Sequence, residues 1–177
     1  MEAEKFGPRD DFIVVMGVAG TGKSEIGRRL ATRFEGCFVE ADDLHSADNV
    51  ERMRSGVPLT DALRVPWLNA VCDRALSLRQ RPVIISCSAL KRRYRDLLRS
   101  RLGSVCFVFL DGSAVMIAHR LQTRNGHFAT SSLLESQLLT LEPPRTDENS
   151  IRLDIELSPE AITEKAVNWL NAAAESA

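Results

Sequence analysis

Apolar and polar positions along this chain fall into two alternating rhythms. Short runs at Phe12–Met16, Cys37–Glu40, Pro82–Ser86, Val105–Leu110 and around Ile151–Ile155 read as strands. Between them lie segments with helical spacing. Ile26, Leu30 and Phe34 recur every fourth residue after Lys23. Polar helical segments are predicted near Ala47–Ser55 and Asp61–Leu78, with Pro66-Trp67 resembling a helix start. Further helices are expected near Leu90–Arg101, Ala114–Arg124 and Ser131–Leu139. A last one runs from Pro159 to about Ala173, with Ser158 as N-cap. Strand and helix alternation predicts one α/β domain over residues 11–177, its parallel sheet covered on both faces. Residues 1–10 are polar and read as a flexible tail. In such sheets ligands bind beyond the carboxyl ends of the strands.

The most informative junction follows the first strand. Gly17, Val18, Ala19, Gly20, Thr21, Gly22, Lys23 and Ser24 spell G-x-x-x-x-G-K-S, with Glu25 opening the helix behind them. Glycines let backbone N–H groups approach an anion closely. The amides form a concave nest, and the helix N-terminus adds partial positive charge. Lys23 is placed to reach β- and γ-phosphates, and the Ser24 hydroxyl is the expected Mg²⁺ ligand. The pattern therefore predicts a phosphate-binding nucleotide site.

Composition narrows the setting. The 177 residues are 44% hydrophobic and 27% charged, with a formal net charge of -1. No general field favours nucleic acid or an anionic membrane, so an anionic ligand must meet locally placed cations. No apolar run reaches the length of a membrane span, and the first residues lack a signal peptide's apolar core. Cys37, Cys72, Cys87 and Cys106 have neither C-x-x-C nor metal-ligand spacing. Reduced, mostly buried thiols and a cytoplasmic enzyme are the expectation.

Chemistry-bearing residues cluster after the other strands. Asp42 lies two positions past Glu40, so both face one way if the chain stays extended. It is a candidate to orient or deprotonate a hydroxyl, or to hold Mg²⁺ through water; Asp43 reads equally as a cap. Arg52 follows on a helix, and His45 alone carries little signal. Ser86 and Ser88 follow the third strand as candidate hydroxyl or carboxylate partners. Lys91, Arg92, Arg93 and Arg95 then crowd a helix start, where cations oppose the dipole unless an anion or acid compensates. That points Lys91 towards a ligand. Asp111 stands near a Walker-B position but reads more simply as a cap. Arg120 and Arg124 share a helix face, Asn125-Gly126 breaks it, and a short amphipathic helix runs to Pro143-Pro144. This is the layout of a lid, about residues 125–146, that closes over a phosphate site and excludes water.

Several stretches together resemble one family. G-V-A-G-T-G-K-S, E-A-D-D-L-H, S-G-V-P-L-T-D-A-L-R-V-P-W-L, C-S-A-L-K-R-R-Y-R-D-L-L, R-N-G-H-F and T-L-E-P-P look like gluconokinase of the thermoresistant type. The resemblance implies a P-loop NTPase fold similar to nucleoside-monophosphate and shikimate kinases. That fold is a three-layer sandwich with a five-stranded parallel sheet and a helical lid. It implies transfer of the ATP γ-phosphoryl group, with Mg²⁺, to the 6-hydroxyl of D-gluconate, in a homodimer serving pentose-phosphate or related metabolism. By resemblance, Gly20, Gly22, Lys23 and Ser24 bind phosphates and Mg²⁺, and Asp42 stands next to the reacting hydroxyl. His45, Arg52, Lys91 and His127 fall in segments around the sugar acid. Arg120 resembles an arginine stacking on adenine, with Pro159 on its other face, and Arg124 the lid arginine near the transferring phosphoryl. Glu40, Thr60 and Leu63 depart from the family pattern, where aspartate, asparagine and aspartate are common. A kinase of another hydroxy acid, such as shikimate, and a nucleotide-gated binding protein are the rival readings. Nucleic-acid binding through Lys91–Arg95 is not supported by so short a basic run.

Overall fold

A computed structural model describes residues 11–123 and 131–175. Five strands, β1 (Phe12–Met16), β2 (Cys37–Glu40), β3 (Val83–Ser86), β4 (Val105–Asp111) and β5 (Ser150–Asp154), form one parallel sheet. Their order is β2-β3-β1-β4-β5. The helices are α1 (Lys23–Arg33), α2 (Ala47–Arg54), α3 (Asp61–Ser77), α4 (Arg92–Leu102), α5 (Ala114–Thr123), α6 (Ser131–Thr140) and α7 (Pro159–Glu175).

The pleat explains why the inner strands are apolar at every position. Val14, Met16, Ile85, Phe107 and Phe109 point to one side, against Leu68, Val71 and Cys72 of α3 and Tyr94 and Leu98 of α4. Ile13, Val15, Ile84, Val108 and Leu110 point to the other, against Ile26 and Leu30 of α1 and Ile162, Val167 and Leu170 of α7. Both faces are covered, so alternation vanishes. Each large side chain so buried contributes roughly 1.5–3 kcal/mol of transfer free energy.

Three local expectations are corrected. Pro66 does not start a helix; α3 begins earlier, at Asp61, where the Thr60 side chain accepts from the Leu63 amide. Pro66 sits one turn inside and gives up a helical hydrogen bond. Trp67 compensates nearby: it is 3% exposed and its indole N–H donates to Ala41 O at 2.7 Å. Secondly, Glu40 and Asp42 do not share an extended strand, because Ala41–Leu44 winds into a 3₁₀ turn. Thirdly, α4 starts at Arg92, not Leu90; the Leu90 carbonyl instead accepts the Glu142 amide at 2.8 Å.

Register sets the site. Val15 is aligned with Ser86, and Ser86 with Glu40, so β1, β3 and β2 end at one level. The segment after β1 and the segment after β2 therefore emerge at the same edge of the domain.

Candidate active site

The loop Gly17–Gly22 joins β1 to α1. Gly17 has φ of 146°, and a Cβ there would stand 2.6 Å from Leu110 O, so no other residue fits without moving backbone. Gly22, at φ 93°, is the N-cap of α1, and no side chain caps it. The first N–H groups of a helix lack intrahelical acceptors. Here they face outward from a loop that also ends at the dipole's positive pole, which suits an anion. The Thr21 hydroxyl, 1% exposed, donates to Val18 O at 2.9 Å and fixes the loop from within. Lys23 Nζ donates to the same carbonyl at 3.1 Å. On the far side of the loop, Ala19 N–H donates to Gln137 Oε1 of α6 at 2.7 Å.

Beside the loop lies a cavity of about 220 Å³ lined by Gly20, Thr21, Gly22, Glu25, Arg120 and Pro159, among others. Arg120 and Pro159, far apart in sequence, thus share one cavity wall. Arg120 Nη2 donates to Ile155 O at 2.5 Å, which holds the guanidinium beside the β5–α7 turn. Glu25 is also tied to Arg29 at 3.0 Å. A planar base between a guanidinium and a proline ring, with its phosphates on the loop amides, fits this arrangement.

The metal ligand set is sparse. Ser24 Oγ stands 3.5 Å from Ser86 Oγ at the end of β3. Among the described residues no group of three His, Cys, Asp or Glu could hold a metal. Mg²⁺ held by one hydroxyl, phosphate oxygens and water suits such a site. Asp111 is not the cap of the next helix: its carboxylate pairs with Arg152 at 2.5 Å and accepts the Gly112 amide at 2.9 Å, while Ser113 Oγ accepts the Met116 amide at 3.2 Å at the start of α5.

Across from the loop, Asp42 occupies the 3₁₀ turn with its side chain 71% exposed. His45 Nε2 lies 3.9 Å from Asp42 Oδ1. The His45 side chain is 3% exposed and stacks on Trp67 with ring centroids 4.2 Å apart. Burial lowers its pKa, against the opposing pull of Asp42, so the imidazole is neutral at neutral pH. Its Nδ1 has no hydrogen-bond partner among the described residues. Trp67 is thus both core anchor and backing for this histidine. The Cys87 thiol, pushed up to about 12 by burial, feels both the Asp42 carboxylate and the Lys23 ammonium.

The basic run after β3 has acids of its own. Lys91 Nζ lies 3.3 Å from Asp61 Oδ1, and Arg93 and the Tyr94 hydroxyl meet the same carboxylate. Arg92 pairs with Asp147 at 2.6 Å, and its amide donates to Glu142 Oε2 at 2.8 Å. Arg95, fully buried, pairs with Glu148 at 2.6 Å. The unfavourable crowding of cations is therefore relieved inside the chain, and it is no longer an argument that Lys91 needs a ligand. Ser88 is half-buried, its carbonyl 3.4 Å from the Gly17 amide. Arg52 is exposed on α2. Arg124 and His127 lie outside the described residues.

With this geometry in view, kinship can be read. Residues 12–144 match a family pattern described as an AAA domain. A gluconokinase of Gluconobacter oxydans is 45% identical over 171 residues, spanning 95% of this chain and 96% of that protein. The thermoresistant gluconokinase of Escherichia coli is 41% identical over 140 residues, spanning 78% and 80%. A solved gluconokinase from Sinorhizobium meliloti superposes with a TM-score of 0.85 at 46% identity, covering 93% of each chain. The chain belongs to the gluconokinase family. Shikimate kinase from Aquifex aeolicus shares the fold alone, at a TM-score of 0.54 and 17% identity.

Within this gluconokinase-family chain, one contact and one residue are not legible in the sequence. Ser86 is a sequence candidate for a hydroxyl partner, but its approach to the Ser24 hydroxyl, 62 residues earlier, is seen only in the fold. Gln137 carried a fainter signal. It is the polar member of the stripe Leu134, Gln137, Leu138 and Leu141, whose leucines pack into the core.

Proposed function

We propose that this chain phosphorylates D-gluconate at the 6-hydroxyl with ATP, giving 6-phospho-D-gluconate and ADP. The observation that carries the reading is the common level of β1, β3 and β2. It brings the phosphate loop and a segment with an exposed carboxylate to the same edge of the sheet. Kinship with named gluconokinases supports the acceptor.

In this reading the loop amides and Lys23 hold the β- and γ-phosphates, while Arg120 and Pro159 hold the base. Asp42 accepts the proton of the 6-hydroxyl as its oxygen bonds to the γ-phosphorus, and the bond to the bridging oxygen of ADP breaks. His45, stacked on Trp67 beside Asp42, backs the segment that meets the polyol. Lys91, shared with Asp61, together with Ser88 and Arg52, attracts the substrate carboxylate. Mg²⁺ bound at Ser24 would supply charge neutralisation. Positioning accounts for most of the rate, since little covalent chemistry falls to the protein. A homodimer in a cytoplasmic setting, feeding the pentose-phosphate route, completes the proposal.

The test is a coupled ADP-release assay with ATP, Mg²⁺ and a panel of hydroxy acids. Gluconate is expected to give the highest kcat/KM. Preference for shikimate would transfer the reading to that acid, and ATP turnover with none of them would end it.

A further inference from the structure

We propose that Gln137 reads the outermost phosphate of the nucleotide, distinguishing ATP from ADP; the identity of the nucleotide rests on the function proposed above. Leu133 and Leu134 are buried, at 7% and 4% exposure, and Leu138 and Leu141 pack on the same core, whereas Leu139 on the opposite face is 90% exposed. Gln137 follows Leu133 by four residues and Leu134 by three, so it shares their face. A carboxamide on such a stripe must satisfy its polar atoms. It does so on the phosphate loop, where Gln137 Oε1 accepts the Ala19 amide at 2.7 Å, a contact spanning 118 residues of sequence.

Position along the loop gives the contact its meaning. The base cavity is lined by Gly20, Thr21 and Gly22, not by Val18 or Ala19. A triphosphate whose base fills that cavity runs along the loop away from it, so its last phosphate lies farthest from Arg120 and Pro159. Lys23 marks that outer end, since its ammonium rests on Val18 O at 3.1 Å, next to Ala19. The Gln137 carboxamide is therefore at the end of the loop where ATP and ADP differ. An amide group has both an acceptor and donors. With Oε1 on Ala19, its NH₂ is the group to donate to a γ-phosphate oxygen. The segment that follows α6 is anchored as well, because the Glu142 amide donates to Leu90 O and the Glu142 carboxylate accepts from the Arg92 amide.

Gln137→Glu separates this role from a structural one. The carboxylate still accepts from Ala19 N–H, so the seating of α6 is retained, but it places a negative charge at the outer phosphate. Titration calorimetry of the full chain with a non-hydrolysable ATP analogue and with ADP measures the effect without any acceptor. A failure of the gluconate reading therefore leaves this test standing. The expected result is a selective loss: the ratio of ATP-analogue to ADP affinity falls by about fivefold or more, as a like charge at close range requires. A smaller change in that ratio, including equal weakening of both nucleotides, overturns the proposal. Should Gln137→Glu fail to fold, Gln137→Met decides instead. It removes donor and acceptor at similar volume, and the same affinity ratio is expected to fall by about threefold or more, as loss of one charge-assisted hydrogen bond implies. A lesser fall overturns the proposal.

Discussion

Replacing Glu148 by glutamine tests whether the segment behind α6 is anchored by a buried charge pair. Glu148 and Arg95 side chains are both 0% exposed. The carboxylate accepts from Arg95 Nε at 2.6 Å, Arg95 Nη2 at 2.9 Å, Arg99 Nη1 at 3.2 Å and the Arg145 amide at 3.1 Å. Glutamine keeps the shape but leaves the Arg95 guanidinium buried without a counter-charge, a change that typically costs about 3–5 kcal/mol. A second route gives a similar figure. Burial alone would raise the Glu148 pKa, but hydrogen bonds from Arg95 and Arg145 prevail and hold it at about 2, against an ordinary 4.5. That difference corresponds to about 3 kcal/mol of stability. The sign follows from the depressed folded-state value: the contribution is complete above pH 4.5 and is lost as pH falls towards 2. Urea unfolding of wild type and Glu148→Gln, run in parallel from pH 7 down to pH 3, measures both. The stability gap is expected at about 3–5 kcal/mol at pH 7, equivalent to roughly 6–20 °C in Tm for a chain of this size, and it should narrow in acid. A gap below about 1 kcal/mol, or one that ignores pH, would refute the reasoning.

Other outcomes follow from the site. Lys23→Ala is expected to lower kcat by at least about 100-fold with an unchanged unfolding midpoint, since an electrostatic contact to the transferring group is lost and no core contact is. Asp42→Asn should lower kcat by about 100-fold or more with little change in the KM for gluconate; a pure KM effect would make Asp42 a binding group. Arg120→Ala should raise the KM for ATP about three- to thirtyfold while kcat holds, as loss of a stacked cation implies. Native-state alkylation at pH 8 should spare Cys72 and Cys87, whose thiols burial pushes up to about 11 and about 12, and mass spectrometry of the labelled peptides checks this.

The phosphate loop was legible in the sequence because its function is local. Consecutive residues supply the turn, the amides and the helix start, and the strand before them is marked by its own apolar run. The layers were legible for a related reason: inner strands buried on both faces advertise themselves. The acceptor side was harder. Whether Glu40 and Asp42 face one way depends on where β2 stops, and a 3₁₀ turn of four residues leaves no periodic trace. The partner of Lys91 is Asp61, thirty residues earlier, so an isolated reading saw uncompensated charge where the fold has a pair. Pro66-Trp67 resembles a helix start because proline favours first turns, but the Thr60 cap opens α3 already at Asp61.

The placement of β2 has a wider consequence. It pairs with β3 alone and forms one border of the sheet, whereas β1, which delivers the phosphate loop, is flanked on both sides. In the proposed reading the groups that meet the acceptor follow a border strand, and those that grip the nucleotide follow a central one. The border segment is tied inward through Ala41 and the His45–Trp67 stack, so revision of acceptor choice falls to its exposed side chains, Asp42 and Asp43 among them, while the nucleotide grip stays as it is.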